Sequence, residues 1–395
     1  MRILHVITRL IVGGAQENTV ASVLGLRTRP GLDVKLISGP TTGPEGSLEP
    51  AFATCPEALT VVPVLVRPVH PWNDLRALFV LTKIFRSARP DIVHTHSGKA
   101  GILGRWAAHR AGVPVIVHTI HGPSFGPFQS RVANAVFEGA ERFAGRFTTQ
   151  FVSVADAMTR QYLAAGIGGP GQYVRIFSGF NLEPFLTAKN DPGLRARLKL
   201  APDDFVIGKI ARLFKLKGHD DLIDVAPELV RQCPKAKFLL VGDGVWRERL
   251  QNRVRSLGLE RHFVFAGLVR PDEVPAYVGI MDMLVHLSRR EGLARALPQA
   301  MAAGRPVVAC DCDGAAEVCV DDQTGFLVRP GDAAGLLDRL LLLAENRALC
   351  ARLGGAGREF VRERFPVEKM VENLADLYLE LTQKASGNVG RHPEA

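Results

Sequence analysis

The sequence predicts an α/β protein made of two Rossmann-like, doubly wound domains that face a cleft between them. Three observations carry this. Apolar runs of strand length alternate with helical patterns along the whole chain, as in parallel sheets covered by helices. The 395 residues exceed one ordinary core and suit two domains of roughly 150–200 residues each. Segments able to hold a ligand follow the strands, and open parallel sheets bind at the carboxyl ends of their strands.

In the first half the strand-like runs are Ile3–Ile7, Val34–Ser38, Ile92–His94, Val115–His118 and Phe151–Val154. Between them lie helical patterns over Ala15–Leu24, Leu75–Ala88, Lys99–Ala111 and Phe128–Phe143, while the glycine- and proline-rich Gly39–Pro50 reads as a loop. The series restarts at Phe205–Ala211 and continues through Lys237–Val241, Phe263–Ala266, Met283–Leu287, Pro306–Ala309 and Gly325–Val328. Helices are expected at Asp220–Gln232 and Ala333–Leu343. The domains divide as 1–182 and 183–366, with an amphipathic helix from Val367 to Leu381 and a disordered tail after Ala385.

Composition narrows the functional classes. A hydrophobic content of 47% with 23% charged residues marks a globular chain. No apolar run reaches the roughly 18–20 residues of a spanning helix, and Arg9 breaks the apolar start of the N-terminus, so a buried first strand is expected there. A cytoplasmic protein follows as the expectation. The six cysteines show no CxxC pair and no disulfide spacing. The net charge of +9 is uneven: residues 1–180 carry +8 and the remainder +1. Such a first half suits an anionic lipid surface, and hence a peripheral place on the inner face of the cytoplasmic membrane, or a phosphorylated acceptor; a plain solvated surface is the alternative. Nucleic acid is not expected, since aromatics are few and no recognition motif appears.

The richest segment is EGLARALPQAMAAGRPVVA, from Glu291 to Ala309. It reads as a lone carboxylate and Gly292 at the start of an amphipathic helix that ends at Gly304. A carboxylate and free amides at a helix N-terminus suit the hydroxyls and phosphates of a nucleotide-linked ligand. On such a helix Gln299, eight residues on, would face the same side as Glu291. Arg212 and Lys217 follow the first strand of the second half and can neutralise a diphosphate leaving group. Gly242 and Gly244 of the Val-Gly-Asp-Gly turn, and Leu268 beyond Gly267, end further strands. In the first half, Gly13 and Gly14 open a helix after the first strand. Ser97-Gly98-Lys99 suits an anion or a polar acceptor, and His121, ending a strand before Gly122-Pro123, suits a sugar hydroxyl or phosphate. His94 and His96 could chelate zinc, but no third ligand has convincing spacing, and one of the two is expected to face away from the cleft. Asp311-Cys312-Asp313 imitates a metal-binding DxD motif, yet reads as a loop.

Taken in order, GG at 13–14, DIVHTHSGKAG, HGPSFG, ARLFKLKGH, VGDG, the Glu291 segment and TGFLV make this chain resemble glycosyltransferase family 4. There the usual signature is Glu, seven residues, Glu; here Gln299 stands in the second place. The resemblance implies a GT-B fold, a nucleotide-sugar donor with a uridine diphosphate sugar as default, retention of anomeric configuration, no required metal or other cofactor, and a final helix, about 367–385, crossing back onto the first, acceptor-binding domain. It implies that Arg212 and Lys217 hold the donor diphosphate, that Glu291 meets the transferred sugar and that Gln299 binds ribose; beside Glu291 the amides of Gly292 and Leu293 can donate to phosphate or sugar. His121 would lie near the reacting sugar, with Gly13, Gly14 and Lys99 near the acceptor or phosphates. The acceptor would be a glycan or lipid-linked intermediate of cell-surface polysaccharide or lipopolysaccharide. A nucleotide-sugar 2-epimerase of the same fold and a non-catalytic sugar- or lipid-binding module are the competing readings.

Overall fold

The computed structural model describes residues 1–42, 46–126 and 128–389. Part of the loop expected over Gly39–Pro50, and the end of the tail, lie outside these residues. The chain divides into unit 1, Met1–Phe180 with the chain from Val367 onward, and unit 2, Asn181–Pro366.

The strands of unit 1 are β1 (Arg2–Ile7), β2 (Asp33–Ser38), β3 (Leu59–Val61), β4 (Ile92–His96), β5 (Val115–Ile120), β6 (Gln150–Ser153) and β7 (Tyr173–Arg175). They pair in parallel in the order β3-β2-β1-β4-β5-β6-β7. The edge strands β3 and β7 escape sequence reading because three residues show no period. Helices α1 (Gly14–Arg27), α2 (Pro71–Ala88), α3 (Gly98–Ala111), α4 (Arg131–Gly145) and α5 (Asp156–Ala164) connect them. Helix α2 begins four residues before the expected Leu75: Pro71 fits the first helical position, where no backbone N–H is needed, and His70 accepts from Asn73 N.

Unit 2 opens with two short helices, α6 (Glu183–Leu186) and α7 (Pro192–Arg197). Strands β8 (Phe205–Ile210), β9 (Ala236–Val241), β10 (Phe263–Gly267), β11 (Met283–His286), β12 (Val307–Cys310) and β13 (Gly325–Val328) then build a second parallel sheet in the order β10-β9-β8-β11-β12-β13. Its helices are α8 (His219–Gln232), α9 (Arg247–Ser256), α10 (Val274–Gly279), α11 (Ala296–Ala302), α12 (Ala333–Glu345) and α13 (Arg347–Arg364). The chain returns to unit 1 in α14 (Val367–Val389), which runs past Ala385, so the tail expected to be disordered is helical to Val389. The apolar face of α14, with Val371, Leu374 and Tyr378, shares a core with Ile3 and Ile7 of β1 and Val23 and Leu26 of α1. The two doubly wound domains predicted from the alternation of strands and helices are thus observed. In each sheet the strand order reverses beside the first strand, at β1/β4 and at β8/β11, and such reversals are where open α/β sheets bind ligands.

Candidate active site

At the β8/β11 reversal a cation and a carboxylate are built side by side. The loop after β8 turns through Leu216 and Gly218, both at positive φ. A Cβ on Gly218 would lie 2.1 Å from the Leu287 carbonyl oxygen, so glycine lets this loop rest directly on the segment after β11. Arg289 N and the Ser288 hydroxyl donate to the Leu216 carbonyl at 2.8 and 3.3 Å and lock the two segments together. Lys217 is thereby placed so that Nζ donates to Ser288 Oγ at 3.4 Å and pairs with Glu291 Oε1. Glu291 N donates in turn to Asp313 Oδ2 at 2.7 Å. Arg212 lies in the same β8–α8 loop, where its carbonyl accepts from His219 Nε2 at 3.0 Å.

Burial pushes the Glu291 carboxyl up, but the His286 imidazole 3.6 Å away and the Lys217 ammonium outweigh it and hold the carboxyl down at about 2. Glu291 is therefore an anion at neutral pH. His286 is buried and its own basicity is lowered, by burial first and only partly offset by Glu291, so it stands neutral there. On β8, Lys209 is 1% exposed and its Nζ has no hydrogen-bond partner among the described residues. Burial, with Lys217 nearby, lowers it to about 7.

The expected helix starting at Glu291 is not observed. Helix α11 starts at Ala296, five residues later, and Gly292–Arg295 form an irregular turn. Pro298 gives the reason: in the first turn of α11 its missing N–H costs nothing, whereas a helix begun at Glu291 would set its ring against the Ala294 carbonyl. Eight-residue helical spacing therefore does not link Glu291 to Gln299. Gln299 is half-buried on α11, and among the described residues its side-chain amide has no partner. Gly292 and Leu293 are buried in the turn. Gly242 and Gly244 face the backbone of the Arg212 loop: a Cβ on either would lie 2.2 Å from Ala211 O or 2.5 Å from Leu213 O. Leu268, beyond β10, is exposed.

In unit 1, Gly13 caps α1 and Gly14 opens it, with no side chain capping the first-turn amides. Lys99 is less available than its sequence suggests. Its ammonium pairs with Asp74 of α2 and donates to the Pro68 carbonyl, so an anion there must compete with a carboxylate. His121 follows β5, is half-buried, and is lowered by burial to about 3, so it is a neutral hydrogen-bonding group and not a cation. Beside its loop lies a concavity of about 530 Å³ lined by Gln129, Asn134, Glu138, Arg142 and Gln161.

Two expectations about the histidines need correction. His94 and His96 are two residues apart on β4 and so share a face, with ring centroids 4.4 Å apart; it is Thr95 that points away. A third imidazole is also at hand, because register pairs His5 of β1 with His94. Ligand atoms of the three lie within 4.8 Å of one another, although their ring nitrogens are engaged with each other, His121, Tyr378 and Thr119. Reading from sequence also missed His286, Lys209 and Asp313. The first two look like core positions of apolar strands. Asp313, in the DxD-like loop, holds the Glu291 backbone.

Residues 13–177 match the model of a glycosyl transferase 4-like domain, and residues 191–360 that of glycosyl transferases group 1. A Mycolicibacterium smegmatis GDP-mannose-dependent alpha-(1-6)-phosphatidylinositol monomannoside mannosyltransferase is 30% identical over 280 residues, 68% of this chain and 71% of the relative. This chain is a group 1 glycosyltransferase of the GT-B fold. The Escherichia coli UDP-Gal:alpha-D-GlcNAc-diphosphoundecaprenol alpha-1,3-galactosyltransferase is 27% identical to the transferase over 388 residues, 96% of this chain and 97% of the relative. Anabaena HepE, solved in complex with UDP and glucose, shares the fold at a TM-score of 0.81 and 24% identity, over 96% of this chain and 100% of HepE. A Staphylococcus aureus relative, 23% identical over 335 residues, 84% of this chain and 87% of the relative, is named a capsular polysaccharide biosynthesis glycosyltransferase.

Proposed function

We propose that the transferase moves a sugar from a uridine diphosphate sugar to a lipid-linked glycan acceptor, with retention of anomeric configuration and without a required metal. The pairing of Lys217 with Glu291 at the β8/β11 reversal carries this reading. An ammonium suits the departing diphosphate and an ionised carboxylate suits the hydroxyls of the transferred sugar, and the two lie side by side. Arg212 adds a planar fork to the diphosphate. The amides of Gly292 and Leu293 donate to the sugar or phosphate, Gln299 bonds ribose, and the turns at Gly242, Gly244 and Leu268 flank the nucleoside. His121 bonds the sugar, while Gly13, Gly14 and Lys99 serve the acceptor side. As the sugar–oxygen bond breaks toward an oxocarbenium-like state, Arg212 and Lys217 gain interaction energy with the leaving diphosphate, whose oxygen takes the acceptor proton on the same face. The E. coli relative, named for a UDP-sugar donor and a diphosphate-lipid acceptor, supports this choice. Incubation with a panel of UDP- and GDP-sugars and a diphosphate-lipid acceptor, read by mass and by the anomeric proton coupling of the product, tests it; an inverted product or a GDP-sugar preference defeats it.

Gln299 replaces an acid but keeps the hydrogen-bonding capacity a ribose needs. Gln299→Glu should therefore change donor KM by no more than about fivefold, on the order of one ordinary hydrogen bond, with kcat unaltered in steady-state assays. A large rise in kcat would mean that the natural site is impaired.

The acceptor reading draws on unit 1. No described helix is long and apolar enough to cross a membrane. Helix α2, however, shows solvent Trp72, Leu75, Phe79 and Val80 among Arg76, Lys83 and Arg86, and α4 shows Val132, Val136 and Phe143 among Arg131, Arg142 and Arg146. Trp72 is 73% exposed and Phe79 56%, far more than a helix facing only water requires. Apolar side chains ringed by cations suit the surface of an anionic bilayer. Trp72→Glu with Phe79→Glu should weaken sedimentation with phosphatidylglycerol vesicles roughly tenfold or more, since each ring contributes about 1.5–3 kcal/mol when buried. Undiminished sedimentation would remove this part of the reading.

A further inference from the structure

A continuous line of polar contacts runs through the core of unit 1. His121 Nε2 meets His96 Nδ1 at 3.0 Å, and His96 Nε2 meets His5 Nδ1 at 2.9 Å. His5 Nε2 meets the Tyr378 hydroxyl of α14 at 3.3 Å. That hydroxyl also meets His94 Nδ1, and His94 Nε2 meets Thr119 Oγ1 at 2.6 Å. Every member except His121 is buried. Burial holds all four imidazoles well below their ordinary basicity, so each is neutral.

A neutral imidazole has one N–H and one acceptor nitrogen, and a hydroxyl brings a single hydrogen. His96, His5 and His94 each sit between two neighbours, so each donates to one and accepts from the other, and the buried Tyr378 hydroxyl does the same when its single hydrogen is used on His5 or His94 and not left without an acceptor. The donor direction therefore cannot reverse inside the line. Only two arrangements make every bond and also use the Tyr378 hydrogen within the line. In the first, all four histidines carry hydrogen on Nε2, Tyr378 donates to His94, and His121 is left with a bare Nδ1. In the second, all four carry it on Nδ1, Tyr378 donates to His5, and His121 presents an N–H.

We propose that Tyr378, His5, His94 and His96 are positioning residues that set the tautomer of His121, and so decide whether it offers its substrate a donor or an acceptor. The functional half of this rests on His121 meeting the substrate, as proposed above. A phosphate oxygen only accepts and needs Nδ1–H, whereas a sugar hydroxyl suits either state. The C-terminal helix thus reaches the site through hydrogen-bond direction as well as through packing.

The test is a long-range ¹⁵N–¹H correlation spectrum of the full chain labelled with ¹⁵N-histidine, assigned by single His→Gln variants. The four histidines should share one tautomer in the unmodified protein, and any two of opposite tautomer overturn the proposal without recourse to a variant. Tyr378→Phe cuts the line between His5 and His94. It should mix the His121 tautomers and lower kcat about tenfold, one hydrogen bond's worth, at unchanged donor KM. An unaltered His121 signal and kcat in a folded Tyr378→Phe protein also overturn it. His121→Ala separates the two readings: full activity there removes His121 as a substrate contact, while a shared tautomer still upholds the coupling.

Discussion

Lys217→Ala is expected to lower kcat by roughly 10²–10³-fold at saturating donor, the loss of about 2.7–4 kcal/mol that follows removal of one preorganised transition-state donor. The ammonium is held by the Gly218 turn against Ser288 and Glu291, so it needs no reorganisation to meet a diphosphate. Its removal has a second consequence. Glu291 loses the cation paired with it, one of the groups that keep it ionised, while the burial that pushes its pKa up remains. The acid limb of the pH–rate profile should therefore move to higher pH in Lys217→Ala. Lys217→Arg, which keeps the charge, should recover part of the rate and return that limb toward its original position. Full turnover in Lys217→Ala would remove Lys217 from the machinery.

Lys209→Met is expected to stabilise the protein by roughly 2–4 kcal/mol at neutral pH. The lysine is buried, its ammonium has no hydrogen-bond partner among the described residues, and its pKa falls from the ordinary 10.5 to about 7. Such a fall is on the order of 5 kcal/mol, at about 1.4 kcal/mol per pH unit. Between about 7 and 10.5 the unfolded chain binds more protons than the folded one, so folding stability rises with pH across that window. Below about 7 the penalty is fully present, and above 10.5 it is gone. Methionine fills similar volume without the charge, so the gain should be greatest below pH 7 and shrink toward pH 10. Urea melts of both proteins at several pH values measure it. A destabilised Lys209→Met protein would show that the ammonium has a partner when folded in solution.

Much of the fold was legible because both sheets are parallel and buried: strands such as Phe205–Ile210 and Val115–Ile120 are mostly apolar, buried along nearly their whole length, and end at glycine-, histidine- or cation-bearing turns. The hidden parts have local causes. Strands β3 and β7 are too short to show a period. Pro298, inside the apparent Glu291 helix, marked the true start of α11 and was read through. Sequence order alone identified Lys217 and Glu291 as candidates, but their direct pairing depends on Gly218 lying against Leu287, a contact between segments far apart in the chain. The histidine line draws on β1, β4, β5 and α14, and needs the β1/β4 register to bring His5 beside His94. His286 and Lys209 resembled core positions because they are core positions. Their chemistry arises from burial beside Glu291, which one-dimensional spacing does not report.

The paired charges at the β8/β11 reversal are proposed to serve transfer of a sugar from a nucleotide to a separate acceptor. Purified protein incubated with a UDP-sugar labelled in the sugar, with and without a diphosphate-lipid acceptor, tests it in one experiment. Label should enter the lipid fraction only when acceptor is present, and Lys217→Ala should abolish most of that transfer. Donor isomerised or hydrolysed at the same rate without acceptor, or label entering lipid equally in Lys217→Ala, would contradict it.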